Sequence, residues 1–94
     1  MQSTTKKDLA IRISRSTYVE PTTIIEIINC LEDEIKSDIQ YGKMVTLRKF
    51  GTFLPTLQKA KMGRNINTGE PIFIEGKMVP KFKPSKLFID QLSE

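Results

Sequence analysis

Seven turn-forming residues between two strand-like stretches constrain this chain more than any other feature. Gly63-Arg64-Asn65-Ile66-Asn67-Thr68-Gly69 holds two glycines and two asparagines, with Phe53-Leu54-Pro55-Thr56-Leu57 before it and Pro71-Ile72-Phe73-Ile74 after it. Gly and Asn tolerate positive φ, and short polar side chains bond the neighbouring backbone, so the heptapeptide reads as the tip of a β-hairpin. A turn requires neither the charge of Arg64 nor the exposed bulk of Ile66. Their presence at the tip raises the question of function.

The hairpin is also too polar to bury itself. Between Gln58 and Glu70 only Ala60, Met62 and Ile66 are apolar, and an isolated two-stranded ribbon is marginally stable in water. An arm that projects from a folded body and becomes ordered on a ligand fits this composition. Pro55 denies its strand a central ladder position and predicts an edge or a bulge. That strand is expected to run on toward Lys61.

The flanks build the body. Thr4 and Thr5 are N-caps for a first helix, striped by Leu9, Ile13 and Thr17 with Ala10 alongside and ending near Ser16. Pro21 suits the first position of a second helix that runs to Gln40 and is capped by Gly42. Ile24, Ile25, Ile28, Leu31, Ile35 and Ile39 give it a strong amphipathic stripe. Cys30, beside the stripe, reads as a small buried or interfacial hydrophobe. Met44-Val45-Thr46-Leu47 is strand-like, Arg48-Lys49 is a tight connection, and Gly51 marks a bend or bulge in the next strand. After the arm, Gly76 to Phe82 returns the chain to the body, and Pro84 opens a last short helix through Leu92. Helices, then strands, then a helix make an α+β pattern. Ninety-four residues at 38% apolar content make one domain with a limited core, for which a dimer is a natural completion.

Charge is divided along the chain. Glu20 to Asp38 holds six acids and one base, whereas between Asp38 and Glu70 there are six bases and no acid. This suggests a polyanion-binding surface, against the plainer alternative of an unevenly charged solvated face. With no histidine and one cysteine, a histidine metal site, a histidine-activated nucleophile and an intrachain disulfide are excluded. No phosphate-loop glycine pattern occurs, and Glu32-Asp33-Glu34 fans out around a helix instead of pairing. There is no run long enough to span a membrane and no apolar leader over Met1 to Asp8. The reading is a non-enzymatic protein with no cofactor, metal, membrane or small-molecule substrate.

Lys59 and Lys61 are two apart, so they are expected to share one strand face. With Arg64 they make a basic ribbon of a width that fits a DNA groove. An apolar side chain at Ile66 can part a base step from the minor groove. Two alternatives stay open from these residues alone. The lysines can simply shield an exposed strand from pairing with other chains, and Ile66 can make a local contact across the hairpin.

Phe50-Gly51-Thr52-Phe53, Gly63-Arg64-Asn65-x-x-Thr68-Gly69, and Val79-Pro80-x-Phe82 followed by Lys86 stand at spacings that identify a family. Over residues 4–93 the chain resembles the HU/integration host factor family of bacterial histone-like DNA-bending proteins. The resemblance implies an HU-like intertwined homodimer with two N-terminal helices, a three-stranded sheet with an extended β-ribbon arm, and a short C-terminal helix. Residues 1–94 are then a single domain: 1–42 for dimerisation, 43–82 for sheet and arm, 83–94 for the last helix. Double-stranded DNA is the implied partner, bound in the minor groove and bent with little sequence preference. A cytoplasmic, nucleoid-associated role in DNA compaction follows.

Residue by residue, Arg64 and Asn65 match the family's tip and Lys61 a basic arm position. Lys83, Lys86 and Lys6 match body positions that hold phosphates, and Phe50, Phe53 and Phe82 match its aromatic core. Lys49, Lys59, Ile66, Asn67 and Lys77 complete the expected DNA-contacting set. Three departures stand out. Ile66 occupies the family's intercalating proline position, which predicts a less preorganised tip. Gln58 stands where arginine is common, and Lys49 where glycine is usual, altering the turn and adding a phosphate contact. The alternatives are a sequence-specific protein like integration host factor, including half of a heterodimer, and an interaction module of the same fold without DNA binding that docks proteins through Ile66 and Phe73.

Overall fold

The computed structural model describes residues 2–93. Met1 and Glu94, the outermost residues of the expected domain, lie outside it. The chain divides after Ser37 into two units.

In the first unit, α1 (Lys6–Thr17) starts from a reciprocal cap. Thr5 Oγ1 accepts from the Asp8 backbone N–H at 3.2 Å, and Asp8 Oδ2 accepts from the Thr5 N–H at 3.0 Å. Two donors that the first helical turn leaves open are thereby satisfied. The Thr5 backbone N–H, followed by its hydroxyl, holds the Asp8 carboxyl below the usual carboxylate range. A lowered folded-state pKa contributes stability that is present above the unfolded pKa and lost as pH falls through the lowered value. The helix continues one residue past Ser16 and ends where Tyr18 turns left-handed at φ 61°.

The second helix, α2 (Pro21–Gln40), has the expected bounds, and Gly42 follows it with φ 80°. Among the described residues, Ala10 and Ile24 are the buried hydrophobic side chains. Leu9, Ile13, Ile27 and Leu31 keep 44%, 40%, 58% and 47% of their surface exposed. Each such side chain forgoes roughly half of the ~1.5–3 kcal/mol that burial from full exposure contributes. Stripes left this open in one chain present an apolar surface that a partner chain would cover. Cys30 is exposed on the single chain.

In the second unit the strands in chain order are β1 (Val45–Leu47), β2 (Gly51–Gln58), β3 (Lys61–Arg64), β4 (Pro71–Ile74) and β5 (Lys77–Pro84), followed by α3 (Lys86–Leu92). They form a three-stranded antiparallel sheet, β1-β2-β5, and a separate ribbon, β3-β4. Two sequence expectations are corrected here. The strand expected to run on toward Lys61 stops at Gln58, and β3 begins afresh. Pro84 does not open the last helix but closes β5, and Ser85 is the cap, its Oγ accepting from the Phe88 N–H at 3.1 Å. A serine oxygen can take an open first-turn donor, which proline cannot do, so the cap falls one residue later.

Pro55 lies on β2, the middle strand, yet β1 ends opposite Phe53, so no third strand flanks Pro55. Across β2-β5 it faces Pro80, and Pro84 faces Gly51. Two prolines can oppose each other only at a non-hydrogen-bonded site, where their missing N–H groups point away from the shared ladder. The same alternation divides the side chains. Phe53 with Phe82, Pro55 with Pro80 and Leu57 with Met78 share one face; Thr52 with Lys83, Leu54 with Lys81, Thr56 with Val79 and Gln58 with Lys77 share the other.

On the apolar face Phe82 lies 5.1 Å from Phe50 and 4.9 Å from Phe53, centroid to centroid, and Phe50 stacks on Phe88 of α3 at 5.4 Å. Gly51, expected to mark a bend, instead begins β2 and is buried. A Cβ there would sit 2.6 Å from the Phe82 ring and 2.7 Å from the Lys83 carbonyl oxygen. The position requires the absence of a side chain, so that the ring can close over the strand.

Candidate nucleic-acid interface

The β3-β4 register pairs Lys61 with Ile74, Met62 with Phe73, Gly63 with Ile72 and Arg64 with Pro71. Gly63 and Arg64 therefore belong to the strand, and the turn proper is shorter than the heptapeptide. Gly63 leaves room for the Ile74 side chain, whose Cδ1 would lie 2.7 Å from an added Cβ. The Asn65 N–H donates to the Glu70 carbonyl at 2.8 Å and the Gly69 N–H to the Asn65 carbonyl at 2.7 Å. Asn65 Oδ1 accepts from the N–H groups of Asn67 at 2.9 Å and Thr68 at 3.4 Å. Gly69 reverses the chain with φ 75°, a conformation that costs glycine little. Arg64 Nη1 donates to the Gly69 carbonyl at 3.2 Å, which lays the guanidinium along the tip.

Ile66 is 98% exposed. The alternative of a local contact across the hairpin is thereby removed. A large aliphatic side chain held in water at the end of a cationic ribbon has an unmet demand for burial. Lys59 and Lys61 do not share one strand as expected, because Lys59 falls in the gap between β2 and β3. The gap coincides with the Glu75-Gly76 gap on the return. A Cβ on Gly76 would lie 2.9 Å from the Gln58 carbonyl oxygen and 3.1 Å from the Ala60 nitrogen, so the two chains approach closely where both ladders are interrupted.

A second group of cations lies on the body. Lys49, Lys83 and Lys86 line an open recess of about 300 Å³ with Thr46, Thr52 and Ser85. The Thr46 and Thr52 hydroxyls lie 3.2 Å apart. Lys49 has φ 68°, a left-handed conformation that costs a non-glycine residue about 1–2 kcal/mol. That strain gives a physical reason for glycine at such a turn. From the recess, Lys83, Lys81 and Lys77 continue along the polar face of β5 toward the arm. Lys81 was missed from the sequence, although the alternation of Lys77, Lys81 and Lys83 with Met78, Pro80 and Phe82 carries the signal.

In the first unit, Lys6 Nζ is engaged by Glu32 Oε1 and Asn29 Oδ1, each at 2.7 Å. This is the one ion pair among the described residues. The expected contacts thus fall at four places: the tip (Arg64 to Asn67), Lys59 and Lys61 at the base of the ribbon, the β5 face with its recess, and the partnered Lys6.

A family model described as bacterial DNA-binding protein matches residues 4–93. The chain is 33% identical over 90 residues to the integration host factor subunit beta of Buchnera aphidicola, covering 94% of this chain and 92% of that protein. It is 31% identical over 83 residues to the corresponding subunit of Vibrio cholerae, covering 87% and 90%. Among solved structures it is similar to that of an Anabaena HU–DNA cocrystal, with a TM-score of 0.92, 28% identity, and coverage of 96% of this chain and 98% of that one. An HU variant from Thermotoga maritima, at 19% identity and a TM-score of 0.69 over 95% of this chain and 99% of that one, shares the fold.

Proposed function

The chain belongs to the bacterial DNA-binding protein family of HU and integration host factor, and from that membership we infer that it is a dimeric architectural protein that grips duplex DNA with two basic arms and bends it. The observation that carries this reading is the tip. An aliphatic side chain 98% exposed stands beside an arginine on a turn closed by hydrogen bonds. Arg64 enters the minor groove, where the negative potential is greatest over narrow segments. Ile66 parts a base step, at an unstacking cost of roughly a few kcal/mol that its burial offsets. Lys59, Lys61 and Lys77 follow the backbone along the arm. Lys49, Lys83 and Lys86 take a phosphate on the body, and Lys6 takes another where the bent duplex returns to the helices. The minor groove presents a degenerate pattern, so sequence preference is weak. The action is non-enzymatic, and its setting is the bacterial nucleoid.

Mobility shift across a salt series, paired with fluorescence transfer between the ends of a short duplex, tests this. Affinity should fall steeply with salt, because each neutralised phosphate releases counterions. Arg64→Ala should weaken binding at fixed salt by about ten-fold and reduce the salt slope by about one for each arm engaged. An unaltered dissociation constant would mean that the arm does not engage.

Lys6 has a different starting point, because its charge is already partnered. Exposed ion pairs contribute ~0–1 kcal/mol, so a phosphate can displace Glu32 at small cost. Glu32→Gln should tighten binding at low salt by a factor of up to about five, the equivalent of that pair. Equal affinities for the two proteins would show that Lys6 stays with Glu32 when DNA is bound.

A further inference from the structure

The tip holds its shape without proline, and Asn65 accounts for most of that. Its carbonyl and N–H close the turn with Gly69 and Glu70 at 2.7 and 2.8 Å. Its Oδ1 takes the N–H groups of Asn67 and Thr68 at 2.9 and 3.4 Å. Only the oxygen of a side-chain amide can accept from backbone N–H groups, so chemistry determines which way this amide faces. Asn65 is half-buried, whereas Arg64, Ile66 and Asn67 are exposed. Thr68 Oγ1 adds one bond, from the Glu70 N–H at 3.3 Å. Ile66 sits within this bonded loop, and its own N–H is engaged in none of these bonds.

We propose that Asn65 is the positioning residue for Ile66: its side-chain oxygen holds the turn in one conformation and aims the isoleucine outward, the task that a proline's fixed φ would otherwise perform. This rests on the reading of Ile66 as the side chain that enters a base step. A loop fixed before binding loses less conformational freedom when the side chain is inserted. Asn65 thereby acts on the bend through Ile66, and its oxygen is not free to read a base edge.

Redundancy with proline is the test, because two devices that fix the same turn cannot be additive. The full-length protein is compared as wild type, Asn65→Ala, Asn65→Asp, Ile66→Pro and the double variant Asn65→Ala with Ile66→Pro. In the DNA-free protein, Asn65→Ala should speed hydrogen exchange of the Asn67 amide by up to about ten-fold, the effect of losing one hydrogen bond. Asn65→Asp keeps an acceptor oxygen and should leave that exchange near the wild-type rate. On duplex DNA, Asn65→Ala should reduce the fluorescence-transfer bend, whereas the same substitution in the Ile66→Pro background should leave the bend unchanged. Equal loss of bend in both backgrounds, with Asn67 exchange unaltered, would identify Asn65 as a direct groove contact and overturn the assignment. A wild type that bends DNA no more than Asn65→Ala does also overturns it. A wild type that leaves DNA straight overturns the wedge reading itself, and this assignment with it.

Discussion

Gly51→Val should leave the protein largely unfolded at temperatures where the wild type is intact. The added Cβ alone would meet the Phe82 ring at 2.6 Å and the Lys83 carbonyl oxygen at 2.7 Å. A ring can swing aside, but the carbonyl belongs to the strand that pairs with β2 through eight residues on each side. Relief therefore requires β2 and β5 to separate at the end where Phe50, Phe53, Phe82 and Phe88 meet. Overpacking typically costs about 1–3 kcal/mol, and the aromatic pairs that loosen contribute ~0.5–1.5 kcal/mol each beyond their area. For a domain of this size, ~3 kcal/mol corresponds to a fall of roughly 12–24 °C in Tm. The melts must be compared at one protomer concentration, because the stability of a dimer depends on it. Gly51→Ala should give a smaller fall in the same direction. A Tm within a degree or two of wild type for the valine variant would mean that Phe82 does not close over Gly51.

The second large effect is on bending. Ile66→Ala removes most of the side chain that stands in water at the tip, so the inserted state loses about 1.5–2 kcal/mol of burial for each arm. The kinked and unkinked complexes are then close in energy, and the fluorescence-transfer bend should fall by half or more. Affinity should fall by less than about ten-fold, because the phosphate contacts survive in an unkinked complex and dominate binding. The separation between these two readouts is the signature of a wedge. Loss of affinity with an unchanged bend would instead assign Ile66 to ordinary groove contact.

What could be read from the sequence follows the range of the forces involved. The second helix was legible because an isoleucine-rich stripe repeats from Ile24 to Ile39, about four turns, and Pro21 and Gly42 mark its ends locally. The tip was legible because turn chemistry is local: Asn, Gly and Thr bond their own neighbours. The places where reading failed depend on distant contacts. The gap at Lys59-Ala60 lies against Gly76, which is distant in the sequence. The role of Gly51 depends on Phe82, far along the chain. Lys81 acquires its place only when the β2-β5 register puts it on the face of Lys77 and Lys83. The sequence placed Asn65 at the tip, but the bonds its side-chain oxygen accepts from Asn67 and Thr68 depend on the folded turn.

The three prolines that point their missing donors away from the β2-β5 ladder have a consequence for fidelity. A long, thin ribbon has little buried surface to tell one alignment of its strands from the next. If β5 slipped by a single residue against β2, either Pro55 or both Pro80 and Pro84 would turn into the ladder, each forfeiting a bond worth ~0.5–1.5 kcal/mol net. The same slip would swing Lys77, Lys81 and Lys83 onto the side of Phe53 and bring Phe82 out beside Thr52. The imino acids thus act as a ratchet against misalignment, and they keep these lysines and the aromatic cluster on opposite sides of a sheet two or three strands wide.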